Sequence, residues 1–180
     1  LIVPFFVLAF YLPGFYGDLT ALILFLIASF TDFLDGMLAR LLGEESKLGE
    51  LLDPIADKII VAAALILLVM DGTIRSYEVI AAIIILTREI LVSGLREFLA
   101  EGKIKLPVSN LAKLKTVLQM VSIALLLSGE TGNKIINFQD YNAQTIGIVL
   151  LWLSAALTLF TGYEYMRKGI DHAISEDNKD

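Results

Sequence analysis

Apolar residues run through this chain in long blocks, and the charged residues gather between them. Six blocks approach or exceed the length of a membrane-crossing helix: about 1–16, 18–42, 50–70, 77–99, 111–128 and 143–167. A helix rises about 1.5 Å per residue, so about 20 residues cross about 30 Å of hydrocarbon. The pattern predicts an all-α, polytopic membrane protein with six transmembrane helices and short loops at 14–18, 71–76 and 129–142. The first block starts abruptly at Leu1 and is expected to be incomplete on its N-terminal side.

Composition agrees with the pattern. Of 180 residues, 57% are hydrophobic, and the mean hydropathy is +0.75. A soluble domain of this size needs a more polar surface. There is no cysteine, and the one histidine, His172, stands near the polar C-terminus. Thiolate and histidine metal sites are therefore excluded as chemistry for this chain. No internal repeat, glycine-rich phosphate loop or nucleic-acid-binding patch is visible, so no nucleic-acid partner is expected.

The net charge of −6 matters less than where the cations fall. One set of polar segments, 40–50, 96–110 and the C-terminal end, carries Arg40, Lys47, Arg96, Lys103, Lys105, Arg167, Lys168 and Lys179. The opposite set carries only Arg75 and Lys134. Cytoplasmic loops are enriched in Lys and Arg, so the 40–50 loop and the C-terminus are expected in the cytoplasm.

Four aspartates break the pattern near that cytoplasmic loop, in TDFLDGMLARLLGEESKLGELLDPIADK (31–58). In a helix, Asp32, Asp35, Gly36 and Ala39 fall along one stripe, and Gly49, Asp53 and Asp57 stand four apart on one face of the next helix. A short link makes the two helices antiparallel neighbours, so the acidic faces can meet. These acids can also be solvated helix-end charges, or pair with Arg40, Lys47 and Lys58. An intramembrane charge costs about 2.5–3.5 kcal/mol even on the gentler insertion scales, and four carboxylates held together repel one another. Two divalent cations cancel the four formal charges. Oxygen-only ligands point to hard ions, Mg²⁺ or Mn²⁺, and a carboxylate-held ion pair suits a phosphate or diphosphate group. Gly36 and Ala39, small residues on the acidic stripe, leave a slot for a ligand, although small residues also serve helix packing.

Asp32-x-x-Asp35-Gly36-x-x-Ala39-Arg40, eight residues, Gly49-x-x-x-Asp53-x-x-x-Asp57 resembles the signature of the CDP-alcohol phosphatidyltransferases, with eight fixed residues across 26 positions. The resemblance implies a single transmembrane catalytic domain over 1–170, a polar tail over 171–180 and a homodimer. It also implies two divalent metals and displacement of CMP from a CDP-linked lipid by an alcohol. On the matching positions, it makes Asp32, Asp35, Asp53 and Asp57 metal ligands, with Asp57 also the general base. CDP-diacylglycerol binding falls to Asp32, Gly36, Ala39, Arg40 and Gly49. Family members open with a polar, Arg-containing segment before the first span, and no residue here is assigned its role.

The stretches LTREILVSGLREFLAE (86–101) and AKLKTVLQM (112–120) are similar to the bacterial members that use sn-glycerol 3-phosphate as acceptor. That resemblance places the enzyme in a bacterial cytoplasmic membrane. A dianionic acceptor needs Arg or Lys close by. Arg88 interrupts an apolar span, and it either binds the acceptor phosphate or pairs with Glu89. Ser93, Arg96, Lys113 and Lys115 complete the expected acceptor-phosphate set, although Arg96, Lys113 and Lys115 also suit interfacial positions. Inositol phosphate as acceptor needs cations too. More distant alternatives are an intramembrane prenyltransferase, which also holds a diphosphate on acidic motifs, and a divalent-cation transporter. Trp152, Tyr163 and Tyr165 are expected in packing or an interfacial belt.

Overall fold

The computed structural model describes residues 2–12, 14–42, 47–101, 110–138 and 141–177, with side chains described outside 32–57, 98, 100–101, 137–141, 168 and 170–177. The architecture is helical, as expected. In chain order come α1 (Ile2–Phe10), α2 (Phe15–Leu42), α3 (Lys47–Met70), α4 (Glu78–Glu101), α5 (Asn110–Leu127), α6 (Gly129–Ile135) and α7 (Ala143–Asp177). Between α6 and α7, β1 (Asn137–Phe138) pairs antiparallel with β2 (Tyr141–Asn142).

Beyond shifts of a few residues at helix ends and the run of α7 past 167 to Asp177, two features differ from the sequence pattern. The first apolar block was expected to run as one span to residue 16, but the chain turns after Phe10 and α2 already begins at Phe15. Gly14 takes φ +65°, a left-handed conformation that glycine adopts without a Cβ penalty. Gly17 then lets the Leu12 carbonyl oxygen close in, where a Cβ would stand only 2.1 Å from it. The second difference is 129–142, expected as a plain loop. It holds α6 and the β1–β2 pair, and Asn142 caps α7 by accepting the Thr145 N–H at 2.9 Å.

Elsewhere the turns follow from local chemistry. Asp71 accepts the Thr73 N–H at 2.8 Å and the Thr73 hydroxyl at 3.1 Å, closing the link from α3 to α4. Glu78 accepts the Arg75 N–H at 3.0 Å at the start of α4. The core is built from Phe6 of α1, Ala21 and Phe25 of α2, Ala64, Leu65 and Leu68 of α3, Ile85 of α4, Ile123 of α5 and Leu151 of α7. The outer faces are also apolar, with Ile66, Ile90, Val117 and Phe160 all more than half exposed. Two stretches, Asn110–Leu127 and Ala143–Arg167, are long and apolar enough to cross a membrane, and Phe15–Thr31 and Lys58–Met70 are shorter apolar helices.

Helix α7 packs most extensively against α5 and α4, and glycines set how closely. A Cβ on Gly147 would stand 2.9 Å from Leu126 of α5. One on Gly169 would stand 2.9 Å from Leu95 of α4. The Ser122 hydroxyl of α5 donates to the Gly147 carbonyl at 2.7 Å, a buried interhelical bond available because the backbones lie close. Gly147→Val is expected to push α5 from α7 and cost about 1–3 kcal/mol through overpacking. The check is thermal denaturation in detergent, where its midpoint should fall by several degrees, while Val149→Ala on the exposed face of α7 should leave it nearly unchanged.

Candidate active site

The aspartate signature falls on two consecutive helices that pack against one another. Asp32, Asp35, Gly36, Ala39 and Arg40 belong to α2, and Gly49, Asp53 and Asp57 to α3, with all of their backbones helical. Their side chains lie outside the described residues. Helical spacing puts each acid pair about one turn apart, and both pairs lie within about ten residues, about 15 Å of helix rise, of the 43–46 link. Carboxylates carried near one end of a helix pair, with no Cys or His among them, would fit hard divalent cations.

Lys58 connects this stretch to the rest of the site. It directly follows Asp57 in α3, and its Nζ donates to the Ser93 hydroxyl of α4. The backbone at the end of the signature therefore lies beside the middle of α4. Ser93 stands four residues after Glu89, on the same face of that helix.

Glu89 is the centre of a charged cluster joining α4 and α5. Lys115 Nζ donates to Glu89 Oε1, and Arg88 Nη1 lies 3.6 Å from the same oxygen. Lys115 is nearly fully buried despite its charge. The guanidinium of Arg88 reaches α7, where Nη2 donates to the Thr161 hydroxyl oxygen at 3.0 Å. The Thr161 hydroxyl itself donates to the Leu157 carbonyl at 2.9 Å. Arg88 also faces the Tyr165 ring at 5.9 Å, within cation–π range. A Cβ at Gly162 would stand 3.0 Å from Arg88 Cγ, so the absent side chain makes room for the arginine stem. A buried cation without such partners costs several kcal/mol, which is why three residues of α7 converge on one arginine.

Of the five residues expected around an acceptor phosphate, the structure joins Arg88 and Lys115 through Glu89 and places Ser93 against Lys58. Arg96 and Lys113 are exposed and make no ion pair with the cluster among the described residues. Of the two sequence alternatives for Arg88, the structure shows the pairing with Glu89. Tyr165, expected in packing or an interfacial belt, is packed in the interior, with its ring against Arg88. The sequence pattern did not reveal Lys58, Thr161 or Gly162 as members of the cluster. The available signals were the position of Lys58 next to Asp57, and the polar-small pair Thr161-Gly162 within an apolar block.

The model of the family described as CDP-alcohol phosphatidyltransferase matches residues 1–160. Among the similar proteins is the CDP-diacylglycerol–glycerol-3-phosphate 3-phosphatidyltransferase of Rickettsia felis, 40% identical over 93% of this chain and 88% of its own length. The proteins of the same name from Cereibacter sphaeroides and Yersinia pestis are each 38% identical, covering 89% and 92% of this chain and 86% of their own lengths.

The geometry around Arg88 makes a direct prediction. Thr161→Val removes a hydrogen-bond acceptor from a charged donor, a loss of about 1.5–3 kcal/mol. The denaturation midpoint should fall, whereas Thr161→Ser, which keeps the hydroxyl, should stay close to the parent protein.

Proposed function

Because the chain belongs to the CDP-alcohol phosphatidyltransferase family, we propose that it transfers the phosphatidyl group of CDP-diacylglycerol to sn-glycerol 3-phosphate, releasing CMP. The product is phosphatidylglycerol phosphate, a phospholipid precursor, and the activity is that of a phosphatidylglycerophosphate synthase. The observation that carries this reading is the junction at Asp57-Lys58. Lys58, the residue after the last acid of the signature, meets Ser93 of α4, one helical turn from Glu89 of the Arg88–Glu89–Lys115 cluster, which supports one site for both substrates.

In this reading 1–170 is one transmembrane catalytic domain of six spans in a bacterial cytoplasmic membrane, followed by the polar segment 171–180. Its catalytic end faces the cytoplasm, where the Lys and Arg excess lies. The protein works as a homodimer. The apolar exterior supports membrane residence, since Ile66, Ile90, Val117 and Phe160 have no reason to face water.

Asp32, Asp35, Asp53 and Asp57 would hold two divalent cations, Mg²⁺ or Mn²⁺. When bound, those ions supply Lewis-acid stabilisation of the diphosphate charge. Asp32, Gly36, Ala39, Arg40 and Gly49 receive the CDP headgroup, with small residues permitting its approach to the helix backbone. Arg88, Ser93, Arg96, Lys113 and Lys115 gather the acceptor phosphate, and Lys58 joins them through Ser93. Asp57 takes the proton from the glycerol hydroxyl as its oxygen attacks the β-phosphorus, which carries the diacylglycerol. A new P–O bond forms there, the diphosphate P–O bond breaks, and CMP leaves with the electron pair. A hydroxyl is a weak nucleophile at neutral pH, so a base in reach is worth about 10²–10⁴ in rate.

The test is CMP release by purified protein in detergent with CDP-diacylglycerol and Mg²⁺ or Mn²⁺. Glycerol 3-phosphate, inositol phosphate, inositol and serine are offered in turn. Release is expected only with glycerol 3-phosphate, to vanish with a chelator, and to return on adding Mg²⁺ or Mn²⁺. Asp57→Asn should lower it by about 10²–10⁴. Release with inositol phosphate instead would keep the chemistry and reject the acceptor assignment.

A further inference from the structure

Both charged residues that face Glu89 are anchored, and Glu89 is the least enclosed of the three. The side chains of Lys115, Arg88 and Glu89 are 4%, 11% and 21% exposed. Arg88 is fixed by the Thr161 hydroxyl, by Tyr165 and by the gap above Gly162. Lys115 rises from the buried face of α5. A carboxylate held by two fixed cations, and closer to water than either, is the member that can be exchanged for another anion.

Space lies next to it. A cavity of about 30 Å³ is lined by Lys58, Glu89, Lys115, Thr116 and Gln119, among others. That is room for about one water molecule. Gln119 Oε1 is buried there without a hydrogen-bond partner among the described residues. Buried acceptors are nearly always satisfied, so this oxygen marks the cavity as a place for one water, which can donate to it and lie beside the cluster. Lys58, Glu89 and Lys115 line it from α3, α4 and α5 respectively, and Lys58 is the chain neighbour of Asp57.

We propose that Glu89 is a positioning residue for the acceptor. Its carboxylate is the resting counter-ion that holds Arg88 and Lys115 together, and it yields them to the acceptor phosphate. The proposal rests on the phosphate-bearing acceptor assigned above. A phosphate dianion outcompetes a single carboxylate for paired cations, because it brings more charge and more acceptor oxygens. Without Glu89 the two cations repel, and the spacing that the carboxylate sets between Lys115 Nζ and the Arg88 guanidinium is lost. The phosphate must then reassemble its own site. Loss of the competing carboxylate acts in the opposite direction, but weakly, because Glu89 already borders water.

The experiment measures steady-state CMP release with glycerol 3-phosphate and CDP-diacylglycerol each varied at saturation of the other. Glu89→Gln keeps the shape and removes the charge. It should raise KM for glycerol 3-phosphate about tenfold or more while leaving KM for CDP-diacylglycerol within about twofold. Glu89→Asp keeps the charge but shortens the reach, and should raise the acceptor KM about threefold. Lys115→Met combined with Glu89→Gln should be no worse than Lys115→Met alone, because the held cation is already gone.

A lower acceptor KM in Glu89→Gln would mean that the carboxylate merely competes with phosphate, and would overturn the proposal. So would an equal change in both KM values, a loss in kcat alone, or additive effects in the double variant. If Glu89→Gln does not fold, Glu89→Asp decides alone, and an unchanged acceptor KM rejects the positioning role. Parent protein that needs no phosphate-bearing acceptor would fail earlier, in the wild-type assay, and would reject the acceptor reading together with this one.

Discussion

Charge inside an apolar bundle must be paired, and that requirement organises this molecule around Glu89. Arg88 and Lys115 come from different helices, and both reach the same carboxylate oxygen. Removing ions from water costs several kcal/mol each, even after relaxation. The cluster recovers that cost only because Thr161, Tyr165 and Glu89 surround the guanidinium. A buried ion pair is weak evidence for stability, since an apolar replacement is often as stable. In the proposed reaction, its place one helical turn from the Lys58–Ser93 contact would give it a functional reason to exist. Two anionic substrates have to meet at one end of a bundle that otherwise excludes charge.

Helix packing sets the dimensions of that meeting place. Gly147, Gly162 and Gly169 lie along α7 where α5 and α4 come closest, opposite Leu126, Arg88 and Leu95. Without these close approaches, Thr161 could not receive the Arg88 guanidinium and Ser122 could not reach the Gly147 carbonyl. In lipid no hydrophobic force distinguishes a helix neighbour from an acyl chain, so close packing and interhelical hydrogen bonds carry association. The same small residues hold the helices together and bring the polar groups into register.

What could be read from the sequence follows how local each signal is. The aspartate signature lies within 26 positions, and helical spacing alone puts its two acid pairs on neighbouring helix ends, although their side chains lie outside the described residues. The apolar blocks marked the long helices for the same reason. Partners across helices were not legible. Nothing in LTREILV says that Arg88 turns to α7 while Glu89 receives Lys115 from α5. Lys58 was visible as an ion-pair candidate for the nearby acids, yet its described partner is a serine 35 residues later. The turn at Gly14 and the small β pair before α7 depend on close backbone approach and on Asn142, too fine for a pattern of apolar blocks.

In the proposed reaction, the peptide bond between Asp57 and Lys58 would give the two halves of the site a shared frame. One face of α3 carries the last acid of the signature, and the next residue reaches α4 at Ser93. Successive helix residues point about 100° apart, so one stretch of α3 serves an acidic neighbour and a basic one without a loop between them. A transfer between two phosphate-bearing substrates needs such a frame, because a displacement of about 1 Å can cost about a hundredfold in rate. Helices hold that distance better than loops do. The donor's diphosphate and the acceptor's phosphate repel each other in solution. Cations held on one side and the Arg88–Lys115 pair on the other would turn that repulsion into two adjacent binding sites, with the attacking hydroxyl between them.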